Sequence, residues 1–248
     1  MPAFLRATYF WVIFVVVTVV LFTCLALMCA LGLVFRAELS NIVHSVAHIW
    51  GKTILFLIPG WSYELSGTEN VPRTGQPVVV AANHQSAVDI LAALTLNFQF
   101  RWLSKASVFK LPLIGIAMRI AGYVPVDRGN PRSHREALNL SAEWIKNGVS
   151  MFFFPEGTRS RDGSVRPFKV GAFKLSEETG APVLPLVLCG TRNMMEKGSG
   201  IPQQAHVYIR VLPPEHKKET ETVEEFAERV RQNIIAAMGS LESPAQPT

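Results

Sequence analysis

Three cysteines are too few for a disulfide framework, and no pair is spaced CxxC. Cys24 and Cys29 sit in an apolar run and Cys189 closes another, so each reads as a small hydrophobic filler in a reducing compartment. No G-x-S-x-G elbow occurs, which leaves a serine-hydrolase nucleophile without its usual turn. His44 and His48 are four apart, as metal ligands can be, but no third ligand is near and a metal site is not expected. There is no internal repeat and no nucleic-acid signature, and the basic residues form no tract, so nucleic acid is not an expected partner. Charge itself is scarce, at 17% of residues. The basic excess is local: residues 101–174 hold thirteen Lys and Arg against five Asp and Glu, whereas residues 215–242 hold seven acids against four bases. A net charge of +5 with this distribution suits an anionic partner such as a membrane surface, phosphate groups or an acidic carrier.

What is present begins with lipophilic sequence. Residues 7–35 form an uncharged run of 29 between Arg6 and Arg36. As a helix rising ~1.5 Å per residue it would reach roughly 43 Å, beyond the ~30 Å hydrocarbon core of a bilayer. It also exceeds the roughly 7–15 apolar residues of a secretory signal, so a retained membrane helix is expected. The flanking charges are too balanced to set its orientation. Residues 39–58 read as an amphipathic helix in the interface plane. Ile42, Val46, Ile49, Trp50 and Ile54 form its apolar stripe, with Ser40, Asn41, His44, Ser45, His48 and Lys52 turned to headgroups.

Beyond Pro59-Gly60 the pattern becomes that of an α/β domain. Short β-branched or aromatic runs at 63–66, 78–82, 100–104, 123–126, 149–154, 183–188 and 206–212 predict strands. Ser133 starts a helix that stops at Gly148, and Thr222 with Glu225 forms a capping box for a helix stopping at Gly239. The expected fold is α/β, a mostly parallel or mixed sheet flanked by helices. The domains expected are a membrane-associated segment over 1–60, a catalytic domain over 61–242 and a frayed tail over 243–248.

The chemistry centres on Asn83-His84-Gln85-Ser86-Ala87-Val88-Asp89, between a buried-strand run and a helix-like run. Open α/β sheets build their sites at such strand-to-helix turns. Residues five apart on one helix diverge by about 140°, so His84 and Asp89 meet only if His84 lies in the loop and Asp89 in the first helical turn. A carboxylate there would hold one imidazole nitrogen and leave the other as a base. The alternative is structural: Ser86 and Asp89 also fit a capping box, which would make His84 an ordinary loop residue.

Two further clusters follow predicted strands, Asp127-Arg128-Gly129 and Pro155-Glu156-Gly157-Thr158-Arg159-Ser160, and Phe168-Lys169-Val170-Gly171 and Ala181-Pro182-Val183-Leu184-Pro185-Leu186 lie further on. In a parallel sheet Arg128 and Arg159 emerge on the same edge as His84, where their forks suit a phosphate, with Lys169 as an added charge. Gly157 permits close backbone approach, and Thr158 offers a hydroxyl.

Asn83-His84-x4-Asp89, Gly122-Tyr123-Val124-Pro125-Val126-Asp127-Arg128, Phe154-Pro155-Glu156-Gly157-Thr158-Arg159-Ser160 and Val183-Leu184-Pro185-Leu186 stand in the order of four motifs. In this the chain resembles the 1-acylglycerol-3-phosphate (lysophosphatidic acid) acyltransferase family. Lys105 and Leu111-Pro112-x2-Gly115 resemble the segment before its second motif. The resemblance implies acyl transfer from an acyl-CoA or acyl-carrier protein thioester to the free hydroxyl of lysophosphatidic acid, giving phosphatidic acid for phospholipid synthesis. It makes His84 the base and Asp89 its orienting partner. Arg128, Glu156, Gly157, Thr158 and Arg159, with Lys105, would position the acceptor, and Pro182, Val183, Leu184 and Pro185 would shape the acyl or donor side. No metal or other cofactor is implied, and the expected location is the cytoplasmic membrane with the catalytic domain facing the cytoplasm. The rivals are an acyltransferase for another lyso-lipid, such as a lyso-aminolipid, and a non-catalytic lipid-binding membrane protein.

Overall fold

The computed structural model of the chain describes residues 2–32, 38–71, 73 and 75–242. Seven strands form one sheet: β1 (Trp61–Ser66), β2 (Val79–Ala82), β3 (Phe100–Lys105), β4 (Val124–Val126), β5 (Ser150–Phe153), β6 (Val183–Cys189) and β7 (Ala205–Val211). Their spatial order is β1-β7-β6-β2-β5-β3-β4. Every neighbouring pair is parallel except β6 with β7, so β1 and β7 run against the other five. All seven predicted strands form within two residues of their expected bounds. β2, β5 and β6 are buried along their whole length, as near-continuous apolar runs in the middle of a covered sheet should be.

Helices cover both faces. Val79, Ala81, Met151 and Phe153 pack beneath α5 (Pro131–Lys146), α6 (Gly171–Thr179) and α8 (Val223–Glu242). Val80, Ala82, Phe152, Leu184 and Leu186 pack beneath α1 (Ala3–Ala30), α2 (Leu39–Leu57), α3 (Val88–Ala93) and α7 (Thr191–Met194). A seven-residue helix, α4 (Ile114–Ile120), follows a 3₁₀ turn at Ala106–Lys110. α5 begins earlier than Ser133: Asn130 caps it, accepting from the N–H groups of Arg132 (3.0 Å) and Ser133 (3.4 Å), with Pro131 in the first turn. The capping box of α8 is reciprocal, Thr222 N–H to Glu225 Oε2 at 2.8 Å and Glu225 N–H to Thr222 Oγ1 at 3.2 Å. That helix continues through Gly239.

The N-terminal helices lie on the domain rather than standing off it. α1 has the length and mean hydropathy (3.0) of a membrane span, with 6% of that window buried. Near its start, Trp11 Nε1 donates to Gly200 O (3.1 Å) and Tyr9 to Leu57 O (3.2 Å). Midway, Trp50 Nε1 donates to Thr18 Oγ1 (2.9 Å), and Leu25 packs with Val43 and Ala121 further along. Residues 33–35 of the predicted helix and the predicted tail 243–248 lie outside the described residues.

α2 departs from the expectation that its polar side meets headgroups. Much of its polar side faces protein, because Arg101 is fully buried and needs acceptors. Arg101 Nη2 donates to Ser40 Oγ and Asn41 Oδ1, both at 2.7 Å. His44 Nδ1 is 2.8 Å from Tyr123 Oη, and the nitrogens of His48 lie 2.8 and 3.1 Å from the carbonyls of Leu94 and Phe98. The surface that remains exposed on α2 includes Ile49 and Phe56.

Candidate active site

β2, β3, β4 and β5 point the same way, so whatever follows them emerges at one edge of the sheet. Lys105 ends β3, Arg128 follows β4, and Glu156 to Arg159 follow β5. At the end of β2, Asn83 pairs with β6: its Nδ2 donates to Leu188 O and its Oδ1 accepts from Leu188 N–H, each at 2.8 Å. His84 is the first residue free of the sheet.

Asp89 sits in the first turn of α3 and is fully buried. Its Oδ2 accepts from His84 Nδ1 (2.7 Å), Gln85 N–H (2.7 Å) and Ser86 N–H (2.8 Å). The contact sets aside the reading of His84 as an ordinary loop residue, and only half of the capping box forms, since Asp89 takes Ser86 N–H but Ser86 Oγ donates to Met195 O. The carboxylate that ties down the helix entry also fixes the imidazole, with Nδ1 as donor and Nε2 free to accept a proton. Nε2 makes no hydrogen bond among the described residues, and the His84 side chain is 12% exposed. Its ring stacks on Phe154 at 3.9 Å and 16°. Phe154 belongs to a quoted motif, yet nothing in the sequence assigns it this role; only the end of β5 beside the end of β2 creates the stack.

Glu156 is placed differently from the acceptor-binding role the resemblance implies. It is 5% exposed. Its Oε1 accepts from His84 N–H at 2.7 Å and its Oε2 from Arg166 N–H at 3.2 Å, so it grips the main chain of the loop. Burial, outweighing these two donors, pushes its carboxyl from the ordinary 4.5 up to about 7. Ser160 N–H donates to His84 O (2.8 Å), a second clasp between the two loops. Gly157 has φ of +71°, and a Cβ there would lie 3.0 Å from the Lys169 side chain.

Arg128 is exposed and Arg159 half-buried, and neither guanidinium has a hydrogen bond or ion pair among the described residues. Partial burial, then the charge of Arg159, holds Arg128 below its ordinary value. Lys105 is exposed beside them, and Thr158 makes no side-chain hydrogen bond among the described residues. Lys197, which sequence reasoning missed because it lies in a strandless loop, donates to Arg159 O at 2.9 Å. Loss of solvation, then the charges of Arg161, Arg159 and Arg166, lower its pKa.

The fourth predicted group does not join the others. Val183 pairs with Val79 and Pro185 with Ala81, so Pro182, Val183, Leu184 and Pro185 lie at the start of β6, toward the sheet edge opposite His84. Val183 and Leu184 are fully buried in the two cores. These residues open their strand, whereas His84, Arg128 and Arg159 come after the ends of theirs, and that sends them to the far edge.

A buried carboxylate, an imidazole with one nitrogen open and cations without partners among the described residues are chemically suited to a general base beside an anionic ligand. A family model described as Acyltransferase matches residues 62–189. A 1-acyl-sn-glycerol-3-phosphate acyltransferase of Chlamydomonas reinhardtii is 31% identical over 94% of this chain and 70% of its own. The chain belongs to this acyltransferase family. It is similar to a chloroplastic 1-acyl-sn-glycerol-3-phosphate acyltransferase of Brassica napus, at 41% identity over 69% of the chain, and to one of Arabidopsis thaliana, at 40% over 70%. The chain spans about half the length of these two relatives, 49% and 48%. Among solved structures it resembles the 1-acyl-sn-glycerophosphate (LPA) acyltransferase PlsC of Thermotoga maritima, with a TM-score of 0.80, 26% identity and 98% of each chain covered.

Proposed function

We propose that this protein transfers an acyl group from an acyl thioester to the free hydroxyl of 1-acyl-glycerol-3-phosphate, giving phosphatidic acid. The observation that carries the reading is the 2.7 Å contact between His84 Nδ1 and buried Asp89, on the sheet edge where Arg128 and Arg159, without partners among the described residues, also emerge. His84 Nε2 takes the hydroxyl proton as the oxygen attacks the thioester carbonyl. Asp89 steadies the imidazolium. The tetrahedral intermediate then expels the thiolate, which receives that proton. No metal or other cofactor enters this scheme, because a thioester is already activated. Arg128 and Arg159 take the acceptor phosphate, with Lys105 and the Thr158 hydroxyl nearby.

The acceptor's tail favours an enzyme that works at the lipid surface, since withdrawing it to water would cost ~0.8 kcal/mol per methylene. α1 keeps one flank on the domain along its length and exposes Val12, Val15, Val16, Val19 and Val20 on the other. This supports a helix lying within one leaflet. A matrix of donors (acyl-CoA, acyl-carrier protein) against acceptors tests the reading. Phosphatidic acid formation with either donor is the expected result. A strong preference for a lyso-lipid without a terminal phosphate overturns the acceptor, and absence of transfer from any donor overturns the enzyme.

A further inference from the structure

The segment from Lys105 to Val126 contains three basic residues, Lys105, Lys110 and Arg119, and no acid. Within it Leu111, Ile116 and Ile120 are exposed, at 48%, 46% and 38%. Ile116 and Ile120 are four apart on α4 and share one face. This is the part of the domain that begins where β3 delivers Lys105 to the site edge, and it ends against the N-terminal helices: Ala117 and Ala121 pack in one cluster with Leu25 of α1 and Val43 of α2. Leu27 and Met28, close to Leu25 in α1, are exposed as well.

The backbone holds the segment in an unusual shape. Leu113 has φ of +57°, alone among described non-glycine residues, and Ile114 N–H closes a tight turn onto Pro112 O at 2.6 Å. Gly115 fits only as glycine, since a Cβ would lie 2.2 Å from Phe109 O. The turn leaves Leu111 outside while α4 packs back on the 3₁₀ turn.

We propose that α4 and the turn before it form a second membrane-contact element, seating on an anionic lipid surface between the N-terminal helices and the mouth of the site. Leu111, Ile116 and Ile120 enter the interface, and Lys110 and Arg119 meet the headgroups. An acceptor in the bilayer then reaches His84 along this flank. The surface deepens the acyltransferase reading, but its first test needs no turnover.

An environment-sensitive fluorophore at I120C, in a C24S/C29S background of the full chain, is read on phosphatidylcholine vesicles with and without phosphatidylglycerol. Asn139→Cys, exposed on α5 across the sheet, is the control. Blue-shifted emission quenched by spin-labelled lipid at position 120 and not at 139 supports the proposal. Water-like emission at 120 in vesicle-bound protein overturns it, whatever the acceptor proves to be. In turnover, I116E/I120E should lose about tenfold on vesicle-borne lysolipid, comparable to losing two interfacial side chains. It should keep its rate on a short-chain acceptor dissolved as monomer. Equal effects on both acceptors, including no effect on either, overturn the proposal.

Discussion

Arg101 and Arg128 belong to neighbouring strands of one sheet and lead opposite lives. Arg101, near the start of β3, is fully buried, stacks 4.8 Å over Trp144 and donates to Gln99, Phe100 O, Ser40 and Asn41. Arg128, just past the end of β4, is exposed, has no partner among the described residues and stands in the field of Arg159. The histidines repeat the contrast. His48 has both ring nitrogens against carbonyls, whereas His84 spends one nitrogen on Asp89 and keeps the other open. Polar groups at the N-terminal edge of the sheet mostly find protein partners and hold α2 in place, although Arg101 Nε is buried without one among the described residues. The cations at the C-terminal edge have no partners among the described residues, as the proposed phosphate site requires.

The sharpest way to break this contrast is to exchange the fates of the histidines. His84→Ala and Asp89→Asn should each lower kcat by about 10³–10⁴, the range for losing a positioned base or its orienting carboxylate. His48→Ala should leave kcat within a few-fold and lower stability by about 1–3 kcal/mol, through loss of the imidazole N–H bond to a buried carbonyl. A comparable fall in kcat for His48→Ala would erase the distinction between the two edges.

Removing Arg101 comes next. Arg101→Met fills the volume but strands Ser40 and Asn41, and should cost about 1–3 kcal/mol in urea unfolding with the acceptor KM unchanged. At the other edge, Arg159→Ala should raise KM for a phosphate-bearing acceptor by about 10–100-fold, the worth of one or two charge-assisted hydrogen bonds. Folding stability should not move. If Arg159→Ala unfolds the protein instead, that guanidinium is structural and the phosphate site lies elsewhere.

Much of the C-terminal edge was legible because its residues are local to strand ends. Strand after strand, the apolar run fixes where the chain stops being sheet, and the next polar residues fall at the edge: His84, Arg128, Arg159. What was not legible needed partners distant in sequence. The burial of the α2 side that carries His44 depends on Arg101 and Tyr123, and no helical periodicity contains that information. The stack of Phe154 on His84 depends on the β2–β5 pairing. The displacement of Pro182 to Pro185 depends on strand direction, which a motif does not carry.

Glu156 separates what the motif implies from what the geometry does. Its carboxyl rises to about 7 in the folded chain from an ordinary 4.5 because it is buried. Between these values the folded state holds a proton that the unfolded state has released, so stability falls as pH rises across that window and levels off above 7. Glu156→Gln should flatten that fall. Above pH 7 the native side chain is ionised and grips His84 N–H and Arg166 N–H as a charged acceptor. Glutamine can accept from only one of them, so kcat should drop about three- to tenfold on the alkaline side of 7, as one such hydrogen bond is lost, and less on the acid side. A group that positions His84 through its backbone gives this loss in kcat with acceptor KM unchanged. A rise in KM with kcat preserved would return Glu156 to the acceptor, as the motif alone suggests.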